Sequence, residues 1–159
     1  SLGKNFYWEG REWPYKNVPR RIIAEEFMED KNSIGLKDYK FFCFDGKAKF
    51  LYLSEGLDNH ESARISYVTL DWEQAPFYRE DFKPFDVLPS KPVNFDKMIQ
   101  IAEKLSNGIP FVRVDFYEIN ERLYFGELTF YPGAGFTKFR PREWDLKLGQ
   151  LIKLPVKRV

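Results

Sequence analysis

The chain has 159 residues, the length of one domain or of part of a larger one. Hydrophobic residues make up 43% and aromatic residues 18%, ample for a core and too many for a disordered segment. The net charge of +1 excludes a strong field for nucleic acid or membrane, no apolar run approaches the roughly 20 residues of a membrane span, and the single Cys43 excludes an internal disulfide and suits a reducing, cytoplasmic compartment.

Lys4 to Pro19 scatters Phe6, Tyr7, Trp8, Trp13 and Tyr15 among charges and prolines. It reads as an irregular packed segment whose aromatics fill a core edge. An aromatic platform for a sugar or base is the sharper alternative. Arg21 to Met28 (RIIAEEFM) reads as a short strand entering a charged turn, Glu29-Asp30-Lys31-Asn32. No secretory leader pattern opens the sequence.

Asp38 to Ser54 is the clearest hairpin, because DYKFFCF and KAKFLYLS flank Asp45-Gly46, a favoured type I′ turn. A two-residue loop predicts Phe41 opposite Phe50, Cys43 opposite Ala48 and Tyr39 opposite Tyr52, forming a core face. Asp38, Lys40, Phe42 and Phe44 then share the other face with Lys47, Lys49, Leu51 and Leu53. That face is half charged and suits a cleft wall. Cys43 reads as an inert core thiol, with no His or second Cys near it in sequence.

Glu55 to Pro92 is long and irregular, with a short strand expected over Ser66 to Leu70. Runs of this kind tend to be functional or mobile. His60 and Arg64 are its candidates for substrate contact, although a lone loop histidine is more often a bystander. Asn94 to Gly108 is a helix, with Asn94 as N-cap, Asp96 at the positive end of the dipole and Gly108 just past the last turn. Its apolar stripe is Phe95, Met98, Ile101, Ala102 and Leu105.

Val112 to Phe136 carries the chemistry. Two β-rich runs, Val112–Tyr117 and Leu123–Phe130, form a hairpin, and Pro132-Gly133-Ala134-Gly135 ends the second. Alternation places Arg113, Asp115 and Tyr117 on one face. With an odd loop, Asn120-Glu121-Arg122, Asp115 faces Glu127 and the two carboxylates share a surface with Arg113. A two-residue loop, Asn120-Glu121, turns Glu127 to the other face. Paired carboxylates are hard oxygen ligands and suit Mg²⁺ held between protein and nucleotide phosphates. Acidic residues on neighbouring strands are ordinarily solvated or ion-paired; the phase of Arg113 and the Pro-Gly turn are what favour a site. Beyond it, Arg142 to Leu151 is an amphipathic helix with Trp144, Leu148 and Leu151 inward.

Arg113-x-Asp115, then Glu127-x-Thr129, then Pro132-Gly133 resembles the C-terminal catalytic signature of ATP-grasp ligases, which reads R-x-D, E-x-N and P-G. In finer detail REWPYKN, AEEFM, KDYKFFCFDG and the closing EWD..LG resemble the TupA-like branch, linked to bacterial cell-surface polysaccharide and teichuronopeptide biosynthesis. The resemblance implies an α+β fold: an antiparallel sheet with packed helices, the C-terminal subdomain of an ATP-grasp domain, occupying residues 1–159 as a single unit. It implies ATP and Mg²⁺ as cofactors, with Asp115, Glu127 and Thr129 as metal ligands, Thr129 standing where the family has Asn. Arg113 is the implied electrostatic catalyst. Lys40 follows Asp38 as in the family's D-x-R, with the acid near the ribose and the base near phosphate or substrate. Glu25, Phe27 and Met28 fall on the run that meets the adenine. The implied reaction joins a carboxylate to an amine through an acyl phosphate, on small or glycan-linked substrates. The glycine-rich loop and lysine-bearing strand that cover the phosphates are expected upstream of Ser1, so residues 1–159 alone are expected to be inactive. The alternative is a non-enzymatic glycan-binding module using Trp8 or Trp72, or a structural module of a surface-polymer synthesis system.

Overall fold

Two tight turns set the register of the sheet. Asp45 and Gly46 (φ 48° and 75°) and, in the second hairpin, Asn120 and Glu121 (φ 50° and 60°) all sit in the left-handed region. Positive φ at both central residues is the type I′ geometry, whose twist matches that of the strands it joins. In a computed structural model that describes residues 4–26, 28, 35–57 and 61–155, these turns join β1 (Lys37–Phe44) to β2 (Lys47–Glu55) and β4 (Phe111–Ile119) to β5 (Arg122–Thr129). With β3 (Arg64–Thr69) they form one antiparallel five-stranded sheet in the order β3-β2-β1-β4-β5. The fold is therefore α+β, as the sequence implied.

Both hairpins contain a bulge, and each bulge changes which face a residue takes. In the first, Cys43 pairs with Ala48 as expected, but Phe42 then pairs with Phe50, leaving Lys49 as the extra residue. The expected pairings of Phe41 with Phe50 and Tyr39 with Tyr52 are thus corrected to Phe41 with Leu51 and Tyr39 with Leu53. Leu51 and Leu53 go to one core together with Phe41 and Cys43. Phe50 and Tyr52 go to the opposite face with Phe42 and Phe44. Alternation could not show this, because Phe50, Leu51, Tyr52 and Leu53 are apolar on both faces of β2.

In the second hairpin the loop has two residues, not the three expected. Ile119 pairs with Arg122 and Phe116 with Phe125, but Val114 pairs with Leu128 and Arg113 with Thr129. Gly126 and Glu127 together therefore span the single position of Asp115. This bulge returns Glu127 to the face of Asp115, which an unbroken two-residue-loop register would have denied it. Glycine suits the spot: a Cβ on Gly126 would lie 3.1 Å from Tyr117 Cε2 and 3.2 Å from the Asp115 carbonyl oxygen. Backbone at that distance cannot yield cheaply. Gly126→Ala is expected to cost about 1–3 kcal/mol by overpacking, read as a lower midpoint in chemical denaturation. An unchanged midpoint would show that the bulge tolerates a side chain.

One face of the sheet is covered by α2 (Phe95–Ser106), which packs across β1, β2 and β4. Phe95, Met98 and Ala102 are buried there, while Leu105 is exposed at the edge of the stripe. Gly108 takes φ 76° just past the helix, as a C′ residue does. Asn94 occupies the N-cap position without capping through its side chain. Its amide nitrogen instead donates to Glu118 Oε2 and to the Glu121 carbonyl oxygen, at 2.8 and 2.7 Å. The Glu118 carboxylate accepts the Val93 and Asn94 backbone N–H groups, so a negative charge still sits at the positive end of the dipole. Cys43 is fully buried beneath this helix, and burial pushes its thiol up to about 11. Native protein should therefore react with iodoacetamide no faster than the chain opens. Rapid alkylation without denaturant would contradict that.

The other face carries the second core, closed by α3 (Glu143–Gly149) through Leu148, Trp144 and the following Leu151. Segment 70–92 runs irregularly beside β3, bringing Phe77 and Phe85 inward. Two expectations for the N-terminal stretch are corrected. Lys4 to Pro19 contains α1 (Phe6–Gly10) and a 3₁₀ turn (Trp13–Tyr15), and Phe6, Trp8 and Trp13 are exposed rather than packed into a core edge. Arg21–Glu26 forms no strand: these residues are exposed, Ile22 and Ile23 at 80% and 77%, and the described sheet ends at β3 and β5. Without a partner strand, local β propensity does not build a strand. Phe27 and the turn at Glu29–Asn32 lie outside the described residues.

Candidate active site

The face opposite α2 gathers most of the charged residues that the sequence singled out. Asp38 and Lys40 come from β1, Arg113 and Asp115 from its neighbour β4, and Glu127 and Thr129 from β5. Lys40 lies across from Asp115 on the paired strands. Its ammonium reaches Asp38 Oδ1 at 3.0 Å and Asp115 Oδ2 at 3.1 Å. Arg113 grips Asp115 with two parallel bonds, Nε to Oδ1 at 2.8 Å and Nη2 to Oδ2 at 2.6 Å. The same Nη2 donates to Glu127 Oε1 at 3.0 Å and to Thr129 Oγ1 at 2.9 Å, and the Thr129 hydroxyl donates to Glu127 Oε1 at 3.1 Å.

The result is an alternating chain of charge, Asp38, Lys40, Asp115, Arg113, Glu127. Three carboxylates against two cations leave it one negative charge. Burial varies along it, since the Asp115 side chain is 1% exposed and that of Glu127 62%. Burial pulls the Arg113 guanidinium down, but the hydrogen bond and charge of Asp115 outweigh it and raise it overall. Arg113 stays charged in either case.

Sequence reasoning gave no role to three neighbours, Ser54, Tyr117 and Arg79, although it placed Tyr117 on this face. Ser54 donates to Asp38 Oδ2 at 3.3 Å, but it reaches this face only through the Lys49 bulge. Tyr117, two residues past Asp115 and so legible from alternation, lies across from Asp38 on the paired strands. Burial first, then the charge of Asp38, raises its phenol above the usual range. Arg79 borders the same cleft from an irregular segment with no sequence signal. Between these groups lies Tyr52, whose phenol burial pushes up to about 12, leaving it a neutral donor near pH 7.

Three of the expected site residues, Arg64, Glu25 and Met28, are not part of this cluster. Arg64 points to the α2 side, far along β3, where it donates to the Ser62 and Ala63 carbonyls at 3.2 and 3.1 Å. Glu25 is exposed and Met28 half-buried, on a segment without strand pairing. His60 lies outside the described residues, as does Phe27.

The family model of TupA-like ATP-grasp proteins matches residues 1–153. The chain belongs to the TupA-like ATP-grasp family. Comparison with curated proteins and with solved structures returns no match. Membership supports ATP binding and an ATP-dependent ligase-type role, in a family that generally uses ATP and Mg²⁺.

The donor set of this TupA-like chain fits such a cation. Oxygens of Asp115, Glu127 and Thr129 converge on one atom, Arg113 Nη2, at 2.6, 3.0 and 2.9 Å. A positively charged nitrogen thus stands at the focus of three hard oxygen donors. Among the described residues no group of three or more His, Cys, Asp or Glu side chains is placed to hold a metal. That is no obstacle for Mg²⁺, which is commonly held by one or two carboxylates together with substrate phosphates. Among the described residues no helix is long and apolar enough to cross a membrane.

Proposed function

We propose that this protein is an ATP- and Mg²⁺-dependent carboxylate–amine ligase acting in bacterial cell-surface polysaccharide or teichuronopeptide assembly, working in the cytoplasm where ATP is supplied. The observation that carries the reading is the convergence of Asp115, Glu127 and Thr129 oxygens on Arg113 Nη2. Asp115, Glu127 and Thr129 would hold the cation. When bound, Mg²⁺ would supply charge neutralisation for the nucleotide phosphates. A substrate carboxylate oxygen attacks the γ-phosphorus, and the bond to ADP breaks with its electron pair leaving on ADP. The amine then attacks the acyl carbon, loses a proton and expels phosphate. Arg113, turned out of the carboxylates, stabilises the charge that develops on the transferring group. Lys40 remains between Asp38 and Asp115 and holds both strands' carboxylates in place, while Asp38 faces the ribose side.

Hydroxylamine is a direct probe, because it traps acyl phosphates as hydroxamates. Full-length protein with ATP, Mg²⁺ and carboxylate-bearing envelope precursors should yield hydroxamate and ADP in equal amounts. ADP without hydroxamate would exclude the acyl phosphate.

A glycan-binding module is the second reading, and one observation favours it: Trp8 and Trp13 are each 62% exposed, with Arg11 and Lys16 stacked on the local aromatic rings. Trp72 does not serve it, since its indole donates to the Pro89 carbonyl at 2.8 Å and packs edge-on against Phe95. Sugar binding that survives EDTA and needs Trp8 would support the module.

We assign the covering of the phosphates to another part of the protein. The site's own charge points the same way. Its two cations are already matched by three carboxylates. Absent several charge-assisted contacts of about 1.5–3 kcal/mol each, Mg²⁺-ATP should bind residues 1–159 orders of magnitude more weakly than a complete site. Calorimetry that gave low-micromolar affinity would contradict this.

A further inference from the structure

The N-terminal stretch forms a small knot that the ligase chemistry does not use. Asn5 caps α1 by accepting the Tyr7 N–H, and its amide donates to the Lys16 carbonyl at 3.1 Å, which ties α1 to the 3₁₀ turn. Phe6 meets Tyr15 edge-on, and Tyr7 meets both Trp8 and Trp13 in the same way. Tyr15 fixes the knot to the sheet: its ring packs edge-on against Phe130, and its hydroxyl accepts the Phe130 N–H at 3.3 Å. The knot thus has a defined shape and place, yet neither α1 nor the 3₁₀ turn has a buried residue. Phe6, Trp8 and Trp13 are all more than half exposed, and so is Val18, whose N–H donates to the Tyr15 carbonyl. Large apolar rings presented this way by a small fixed unit mark a contact surface.

The charges on the knot say what the surface meets. Arg11 lies over Trp8 at 5.3 Å from the ring centroid, and Lys16 over Trp13 at 4.5 Å. Among the described residues neither cation has an ion pair, and nor has Arg21. Glu9 is matched by Lys4 at 3.5 Å. Residues 4–21 hold five basic side chains against two acidic ones, an asymmetry that the net +1 of the whole chain conceals. A neutral sugar stacking on an indole has no use for these cations, and one face of each indole is already taken by them. A layer of anionic headgroups over acyl chains uses both features. Trp and Phe settle at the boundary between headgroups and chains, while basic side chains lying along the rings reach the lipid phosphates. We infer that this knot docks the protein on an anionic lipid surface, with Phe6, Trp8 and Trp13 in the headgroup layer and Arg11, Lys16 and Arg21 against its phosphates. The contact is peripheral and does not rest on the ligase reading. It competes with the glycan module for Trp8. Phe130 directly follows Thr129, so docking brings the β5 end of the charge cluster toward the lipid.

The test is sedimentation of the full-length protein with phosphatidylglycerol–phosphatidylcholine vesicles and with phosphatidylcholine vesicles alone. The anionic vesicles should bind at least about tenfold more tightly, because each basic group near such a surface adds to the attraction. Binding should weaken as salt rises. Trp8→Ser with Trp13→Ser should reduce affinity about tenfold or more, the scale of removing two rings from the interface. Arg11→Gln with Arg21→Gln should reduce it about tenfold. A second measurement needs no variant to bind: vesicles brominated near the headgroup should quench the unmodified protein's tryptophan emission. Trp72 and Trp144 pack against the two cores, so that quenching should come from Trp8 and Trp13. Equal binding to neutral and anionic vesicles, or full affinity in both double variants, would overturn the inference. So would failure of the full-length protein to bind vesicles, as when another part of the same protein covers the knot. If soluble polygalacturonate or dextran shifts the tryptophan emission while vesicles do not, the knot is a glycan platform and the inference falls.

Discussion

Asp115→Ala is expected to destabilise the fold by about 3–5 kcal/mol, the usual result of removing one partner from a buried ion pair. The side chain is 1% exposed and both of its oxygens are engaged. Its loss would leave Lys40 with Asp38 as its one carboxylate, and Arg113 with the exposed Glu127 and the Thr129 hydroxyl. Removing Glu127 should behave differently. Its carboxylate is 62% exposed, so Glu127→Gln should change stability by less than about 1 kcal/mol. Both substitutions remove a proposed cation ligand, and only the first removes a structural anchor. Urea denaturation of the two variants should therefore give well separated midpoints. Equal and small losses would mean that the buried network contributes little to the fold.

Arg113→Lys is expected to lower turnover of the full-length protein about 100-fold, the scale of one lost electrostatic donor, with little change in the KM for ATP. One guanidinium now spans both oxygens of Asp115, Glu127 and Thr129. A lysine keeps the charge but not this fork, so it can answer the buried Asp115 without orienting toward the reacting group. Arg113→Ala should lose the same turnover and some stability as well, since Asp115 then keeps only Lys40. A lysine variant with normal kcat and reduced stability would make Arg113 a structural ion-pair residue.

The sequence carried the strand order of both hairpins, the α2 stripe and the set of charged residues, because tight-turn dipeptides, helical spacing and a short motif are local signals. It did not carry the bulges. A bulge is chosen by packing across the whole sheet, and in KFLYLS both faces are apolar, so nothing in the alternation marks Lys49. At Gly126 a signal was present, since a glycine inside a strand often marks a bulge or close approach. Reading it would have reconciled the two-residue loop with a shared face for Asp115 and Glu127. Arg64 was drawn into the site by its place in the long segment after β2 and by its charge, and the register of β3 sends it to the other side of the sheet.

The claim at the centre of this account is that the point now held by Arg113 Nη2 is a cation site for bound nucleotide. Mn²⁺ in place of Mg²⁺ reports on that point directly, by broadening NMR signals of nearby nuclei. In the full-length protein with Mn²⁺ and a non-hydrolysable ATP analogue, signals of Asp115, Glu127 and Thr129 should broaden first. The Arg113 side-chain N–H signals should move as the guanidinium leaves Asp115, and Glu127→Gln should sharply reduce the effect. Broadening centred elsewhere, with the Arg113–Asp115 pair undisturbed, would contradict the account.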